Sequence, residues 1–174
     1  MTSDLQAHAP QLIDPFGRRI DYLRVSVTDR CNYRCFYCMP PEGLEWRQQR
    51  DILSHEEMAR LIRVFAEMGV TNVRLTGGEP LVRRNLMALV RMIGEIPQIH
   101  DLSMSTNAHL LERFAVEMKE AGVSRVNISL DSLDPKVFAE ITRGGDLAAV
   151  IRGIDAALTV GLTPVKLNMV VMKG

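Results

Sequence analysis

Two periodicities take turns along this chain. Residues 23–27 alternate, with Leu23, Val25 and Val27 apolar and Arg24 and Ser26 polar, as a strand does. The same two-residue rhythm returns at 73–76, 102–105, 126–130 and 165–171. Between these runs the spacing becomes helical. Met58, Leu61, Ile62 and Phe65 fall at i, i+3, i+4 and i+7 behind a Ser54–Glu57 capping box, and Gly69 ends the segment. Residues 81–94 read as a second helix. Leu111, Phe114, Ala115 and Met118 repeat the pattern before Gly122. Asp134-Pro135 opens a short helix, and Asp146 caps another with Leu147, Val150, Ile151, Ile154 and Leu158 on one face. Strand and helix thus alternate five times, which predicts an α/β fold of about five βα units around a parallel sheet. Residues 1–17 carry no period and read as a loose leader; 18–174 form the core.

The polar half of the alternation changes this picture. Parallel strands buried on both faces read as nearly continuous apolar runs. Here Arg24 and Ser26, Arg74 and Thr76, Ser103 and Ser105, Asn127 and Ser129, and Lys166 and Asn168 give every strand a polar face. Two architectures fit. If the sheet curves toward a barrel, three cations (Arg24, Arg74, Lys166) line its lumen, and a polyanionic ligand offsets the cost of burying them. If the sheet is open or antiparallel, the same residues meet water.

Composition narrows the function classes. The chain has 174 residues, 47% of them hydrophobic, enough for one domain with a sizeable core. Lys plus Arg equals Asp plus Glu, which supports neither nucleic-acid nor polybasic membrane binding. No apolar run approaches the ~20 residues of a membrane span. An odd number of cysteines, all clustered, argues against a disulfide framework and for a reducing compartment, the cytoplasm by default.

The clustered cysteines carry the sharpest chemistry. Cys31, Cys35 and Cys38 follow the first strand in a C-x3-C-x2-C spacing. Three soft thiolates so close together read as ligands of one metal centre. A four-iron cluster normally takes four cysteines, so three leave one iron open to a small molecule. A zinc site completed by His55 or His100 is the alternative, although structural zinc ligands tend to come in separated pairs. Gly77-Gly78-Glu79-Pro80 ends the second strand, where α/β folds place ligands; its glycines let backbone approach a ligand, and Glu79 offers a partner for an amine. Ser105-Thr106-Asn107 and Ser129-Leu130-Asp131 end the third and fourth strands and offer hydroxyls and amides. Tyr37, between two cysteines, stacks on a base or simply packs. The four histidines read as surface or cap residues, Trp46 as packing, and Asp14 and Asp21 have no evident role.

These motifs together resemble the radical S-adenosylmethionine superfamily, and within it the family of GTP cyclases that begins molybdenum cofactor biosynthesis. The residues that carry the resemblance are 14–18 (DPFGR), 23–32 (LRVSVTDRCN), 38–40 (CMP), 74–81 (RLTGGEPL), 127–133 (NISLDSL), 166–168 and 170–174. It implies a partial (β/α)6 barrel and a lyase whose [4Fe–4S] cluster is held by Cys31, Cys35 and Cys38. It further implies that S-adenosylmethionine chelates the open iron and contacts Tyr37, Gly78 and Ser129. GTP then faces Arg24, Arg74, Ser105 and Lys166, and a 5′-deoxyadenosyl radical takes hydrogen from the ribose. An electron donor, a downstream pterin-forming enzyme and a second copy of the chain are the implied partners. Ser105 stands where the family has Thr, and Ala108 where it has Gly. The family also continues for about another domain's worth of chain, including a sixth strand and a second set of three cysteines, so the resemblance implies an N-terminal part that converts no GTP alone.

Overall fold

The computed structural model describes residues 11–173. Five strands form one sheet in chain order: β1 (Tyr22–Ser26), β2 (Asn72–Thr76), β3 (Asp101–Thr106), β4 (Arg125–Ser129) and β5 (Val165–Asn168). All four pairings are parallel, which excludes the antiparallel sheet. Strands laid side by side in chain order, each joined by a right-handed crossover, send every helix to the same face. The helices are α1 (His55–Glu67), α2 (Leu86–Gly94), α3 (Leu111–Glu120), α4 (Pro135–Thr142) and α5 (Leu147–Thr159). They pack in series, α1 on α2, α2 on α3 and α3 on α5, with α4 against α5.

The core lies between helices and sheet. Leu75, Met104 and Ile128 are fully buried there, beside Ile62, Leu89 and Met118; each such side chain contributes about 1.5–3 kcal/mol by leaving water. On the other face the polar residues fall into register rows. Arg24 is level with Arg74, Arg74 with Ser103, and Ser103 with Arg125. In the row above, Ser105, Asn127 and Lys166 are level. Burial rises toward the middle strands: Ser103 and Asn127 are buried, whereas Arg24 and Lys166 are exposed.

Four expectations change in detail. The helix read over 81–94 begins only at Leu86, because a 3-10 turn (Pro80–Val82) and a left-handed Asn85 (φ 56°) precede it. The extended Arg83 between them is drawn away to bind carbonyls elsewhere. In α1 the buried stripe is Met58, Ala59, Ile62 and Ala66, with Leu61 exposed. In α5 it is Ala149, Val150, Gly153 and Ala157, with Ile151 and Leu158 exposed. Small residues enter both faces, and in α5 they let the helix approach its neighbour: a Cβ on Gly153 would lie 2.5 Å from the Ala108 carbonyl oxygen. β5 ends at Asn168, not at 171.

Of the expected leader, residues 1–10 lie outside the described residues. Residues 11–20 form a turn closed by Asp14, whose carboxylate accepts from Phe16 N, Arg18 N and Arg18 Nε. Asp14 therefore has a structural role. Leu12 N donates to Met68 O, tying this turn to the end of α1.

Candidate metal and nucleotide site

The C-terminal ends of parallel strands share one rim, and every chemistry-bearing stretch of the sequence reaches it. β1 delivers the cysteine loop. The Gly77–Pro80 turn follows β2, residues 105–107 close β3, and residues 129–131 close β4.

The two glycines serve the cysteine loop directly. Past the end of the strands, residues 27–30 keep running beside 76–79: Val27 N donates to Thr76 O, Gly78 N to Thr28 O and Glu79 N to Arg30 O, all within 2.9 Å. A Cβ on Gly77 would lie 2.3 Å from Thr28 O, and one on Gly78 2.3 Å from Arg30 O. Gly77 also sits at φ 145°, a conformation open to glycine. The close approach expected for a ligand is thus made first by the protein's own backbone, and it places Cys31.

The loop is then fastened from below. Arg34 N and Phe36 N donate to Thr142 O and Ile141 O, carbonyls that the end of α4 leaves unpaired. Arg143, in the left-handed region at φ 53°, turns its guanidinium onto Met39 O (2.7 Å) and Arg34 O (3.2 Å). Arg34 holds Cys31 O at 2.6 Å and stacks over the Trp46 ring at 5.3 Å, so Trp46 does more than fill space. Buried Tyr33 hydrogen-bonds His109 Nδ1 and meets the Phe138 ring edge-on.

All three thiols are free; Cys31 and Cys35 are half-buried and Cys38 is exposed. Burial pushes each thiol up from its ordinary range, Cys35 to about 11, and Cys38 beside Cys35 adds to that. Such thiols ionise readily only beside positive charge, and a bound metal supplies it. Among the described residues no three His, Cys, Asp or Glu side chains converge on a single ion. A multi-iron cluster is wider than one ion, so its ligand sulfurs are correspondingly spread. The histidines of the zinc alternative are engaged or distant. His55 Nε2 accepts from Arg83 Nε at 2.9 Å, and His100 immediately precedes β3, at the opposite end of the strands from the rim. The donor set suits an iron–sulfur cluster.

Glu79 departs from its expected part. It is 1% exposed, and its oxygens accept from Leu81 N (3.0 Å), Thr106 Oγ1 (2.8 Å) and Asn107 N (2.6 Å). Burial pushes its carboxyl up against the pull of those three bonds. It staples the end of β2 to the end of β3 and so is not free for a ligand's amine. Asn107 passes the connection on, donating to Asn32 Oδ1 at 2.8 Å. Ala108 reaches the left-handed region (φ 61°), so the turn is kept without glycine, at a strain cost.

Tyr37 donates to Asp131 Oδ2 at 2.6 Å, while Asp131 Oδ1 accepts from Val170 N at 2.8 Å. Asp131 thereby ties the cysteine loop to the chain beyond β5, a role that spacing along the chain does not mark. Ser129 is exposed at the end of β4, level with Asn168. Below the rim Arg24 and Arg74 face the same way in adjacent strands, and directly opposed like charges destabilise a sheet unless an anion joins them. Arg74 leans over the Tyr22 ring at 5.3 Å. Arg125 is a fourth cation of that face, one residue ahead of the strand predicted from alternation, and it pairs with Asp101.

The sequence model of the radical SAM superfamily matches residues 25–174. The GTP 3′,8-cyclase of Petrotoga mobilis is 53% identical over 163 residues, and that of Hydrogenovibrio crunogenus 54% over 164; each alignment takes in 94% of this chain and 50% of the relative. The chain therefore spans about half the length of these curated relatives. Among solved structures, Streptococcus suis SuiB bound to its precursor peptide SuiA superposes with a TM-score of 0.71 at 22% identity, over 88% of this chain and 34% of SuiB. Methylornithine synthase (PylB) gives 0.69 at 16%, over 85% and 44%. Both likenesses concern the fold, a partial barrel of parallel strands.

Proposed function

We propose that this chain, which belongs to the radical SAM superfamily, forms the radical-generating part of a GTP 3′,8-cyclase, the lyase that converts GTP to 3′,8-cyclo-7,8-dihydro-GTP at the start of molybdenum cofactor biosynthesis. One observation carries the reading. Three free thiols stand at the rim directly after β1, and the same strand sends Arg24 into a face it shares with Arg74. A redox centre and an anion site are thus one strand apart.

Cys31, Cys35 and Cys38 would hold a [4Fe–4S] cluster, which with S-adenosylmethionine supplies one electron and a 5′-deoxyadenosyl radical. The chain's own residues bind and orient. Tyr37 within the cysteine loop, and Gly78 and Ser129 at the ends of the neighbouring strands, contact the cosubstrate. Arg24, Arg74, Ser105 and Lys166 receive the nucleotide, the cations taking its phosphates. The buried middle of the polar face, Ser103 and Asn127, keeps water from the reacting sugar. Among the described residues no helix is long and apolar enough to cross a membrane, and a reducing cytoplasm suits the free thiols. An electron donor, a pterin-forming enzyme that takes the product, and a second copy of the chain are the partners this reading calls for.

Anaerobic reconstitution of the full-length protein with iron and sulfide, followed by addition of dithionite as one-electron reductant together with S-adenosylmethionine and GTP, tests it. The reading expects charge-transfer absorption from an iron–sulfur cluster, release of 5′-deoxyadenosine and a cyclised guanosine product, all lost in Cys35→Ala. Zinc without iron, or a cluster that cleaves S-adenosylmethionine yet leaves GTP untouched, would overturn it.

A further inference from the structure

Asn127 sits in the middle of the polar face, level with Ser105 on one side and Lys166 on the other. Its neighbours in the strand, Val126 and Ile128, are fully buried toward the helices, which fixes the direction of its own side chain. The residue is 5% exposed, and its Oδ1 is sealed from water without a hydrogen-bond partner among the described residues. Buried carboxamide oxygens are normally paired, and an unpaired one weakens the fold. Leucine has the same branched outline, is somewhat larger, and carries no such cost. The polar group is therefore a liability in the free protein, of the kind that persists where a ligand completes it. A second orphan, Arg125 Nη1, lies two residues earlier on the same face.

The missing partner has a definite chemistry. In the orientation the carboxamide adopts here Oδ1 only accepts, so phosphate and carboxylate oxygens, which also only accept, cannot satisfy it. It needs an O–H or N–H. Asn127 lies one pleat below Ser129, roughly 6–7 Å beneath the rim, and one row above Arg24 and Arg74. A nucleotide whose phosphates engage the arginines brings its sugar or base to this level.

Building on the function proposed above, we infer that Asn127 is a further substrate-contacting residue, whose carboxamide oxygen accepts a hydrogen bond from a ribose hydroxyl or a base N–H of the bound nucleoside triphosphate. The test uses the full-length protein with its cluster reconstituted, as wild type, Asn127→Leu and Asn127→Ala. Thermal unfolding without ligand and equilibrium binding of GTP, 2′-deoxyGTP, 3′-deoxyGTP and inosine triphosphate are measured. Asn127→Leu should unfold at the same or a higher temperature than wild type, yet both variants should bind GTP about tenfold more weakly, the loss of one buried hydrogen bond. One analogue should bind wild type as weakly as GTP binds the variants and lose nothing further in them, which names the donor group. Unchanged GTP affinity in both variants overturns the assignment and leaves the proposed function standing. A lower unfolding temperature with unchanged affinity marks an ordinary structural residue and overturns it too. Wild type that binds no GTP sinks both readings at once.

Discussion

Gly78 shows how much function one missing methyl group carries. Its Cα packs on the Arg30 carbonyl, at the last step before Cys31, and a Cβ there would be 2.3 Å from oxygen. Backbone on both sides leaves little room to yield. Gly78→Ala should cost about 1–3 kcal/mol by overpacking and lower the iron bound per chain after reconstitution. Unfolding curves and iron analysis check the two effects separately; full iron content would show that the loop does not depend on this contact. Glu79 makes the complementary case. Both of its oxygens accept, so Glu79→Gln turns a donor toward a donor and should destabilise the protein by about 1–3 kcal/mol. A stability equal to wild type in urea titration would refute the staple. The Gly-Gly-Glu-Pro sequence marks the turn that ends β2, but local sequence does not assign Glu79, because its partners Thr106 and Asn107 lie a whole βα unit away.

Among the elements, α1 was the most legible. The capping box is present in both directions, Glu57 N to Ser54 Oγ and Ser54 N to Glu57 Oε2, and Ser54→Ala should cost about 1 kcal/mol, a fall of about 2–4 °C in the unfolding temperature. What the sequence hid is the anchor of that end. Arg83 reaches from the turn after β2 to Leu53 O, to His55 Nε2 and to Val27 O. Burial, then the Arg83 charge, holds the His55 imidazole below its ordinary 6.5. The native state thus resists a proton that the unfolded chain accepts, so stability should fall as pH drops below 6.5. His55→Gln, which can keep an acceptor for Arg83, should flatten that decline. Equal pH dependence of the unfolding temperature in both proteins would refute the coupling. The stretch at 81–94 departs from its helical spacing for the same reason: Arg83 answers to distant carbonyls, not to its own helical period.

At the scale of the whole molecule, the sheet ends at β5 with apolar groups in water. Leu167 is 57% exposed, Met169 61% and Val171 81%, beside Leu133 at 72%. An edge strand with such neighbours is a template for pairing. The 174-residue chain by itself should therefore associate as its concentration rises, and Leu167→Lys with Met169→Lys should suppress this without lowering the unfolding temperature. Light scattering coupled to gel filtration reads the outcome; a monomer at all concentrations would contradict it. Sequence alone determined the strand–helix alternation, the cysteine trio and the polar strand faces, because each follows from spacing within a few residues. Tertiary structure decided that every pairing is parallel, that the glycines and Glu79 position the cysteine loop, that alanines and a glycine share the buried faces of α1 and α5, and that Asn127 is left without a partner. Those facts depend on which backbone and side-chain atoms meet across strands, and residues a few positions apart carry no record of such meetings.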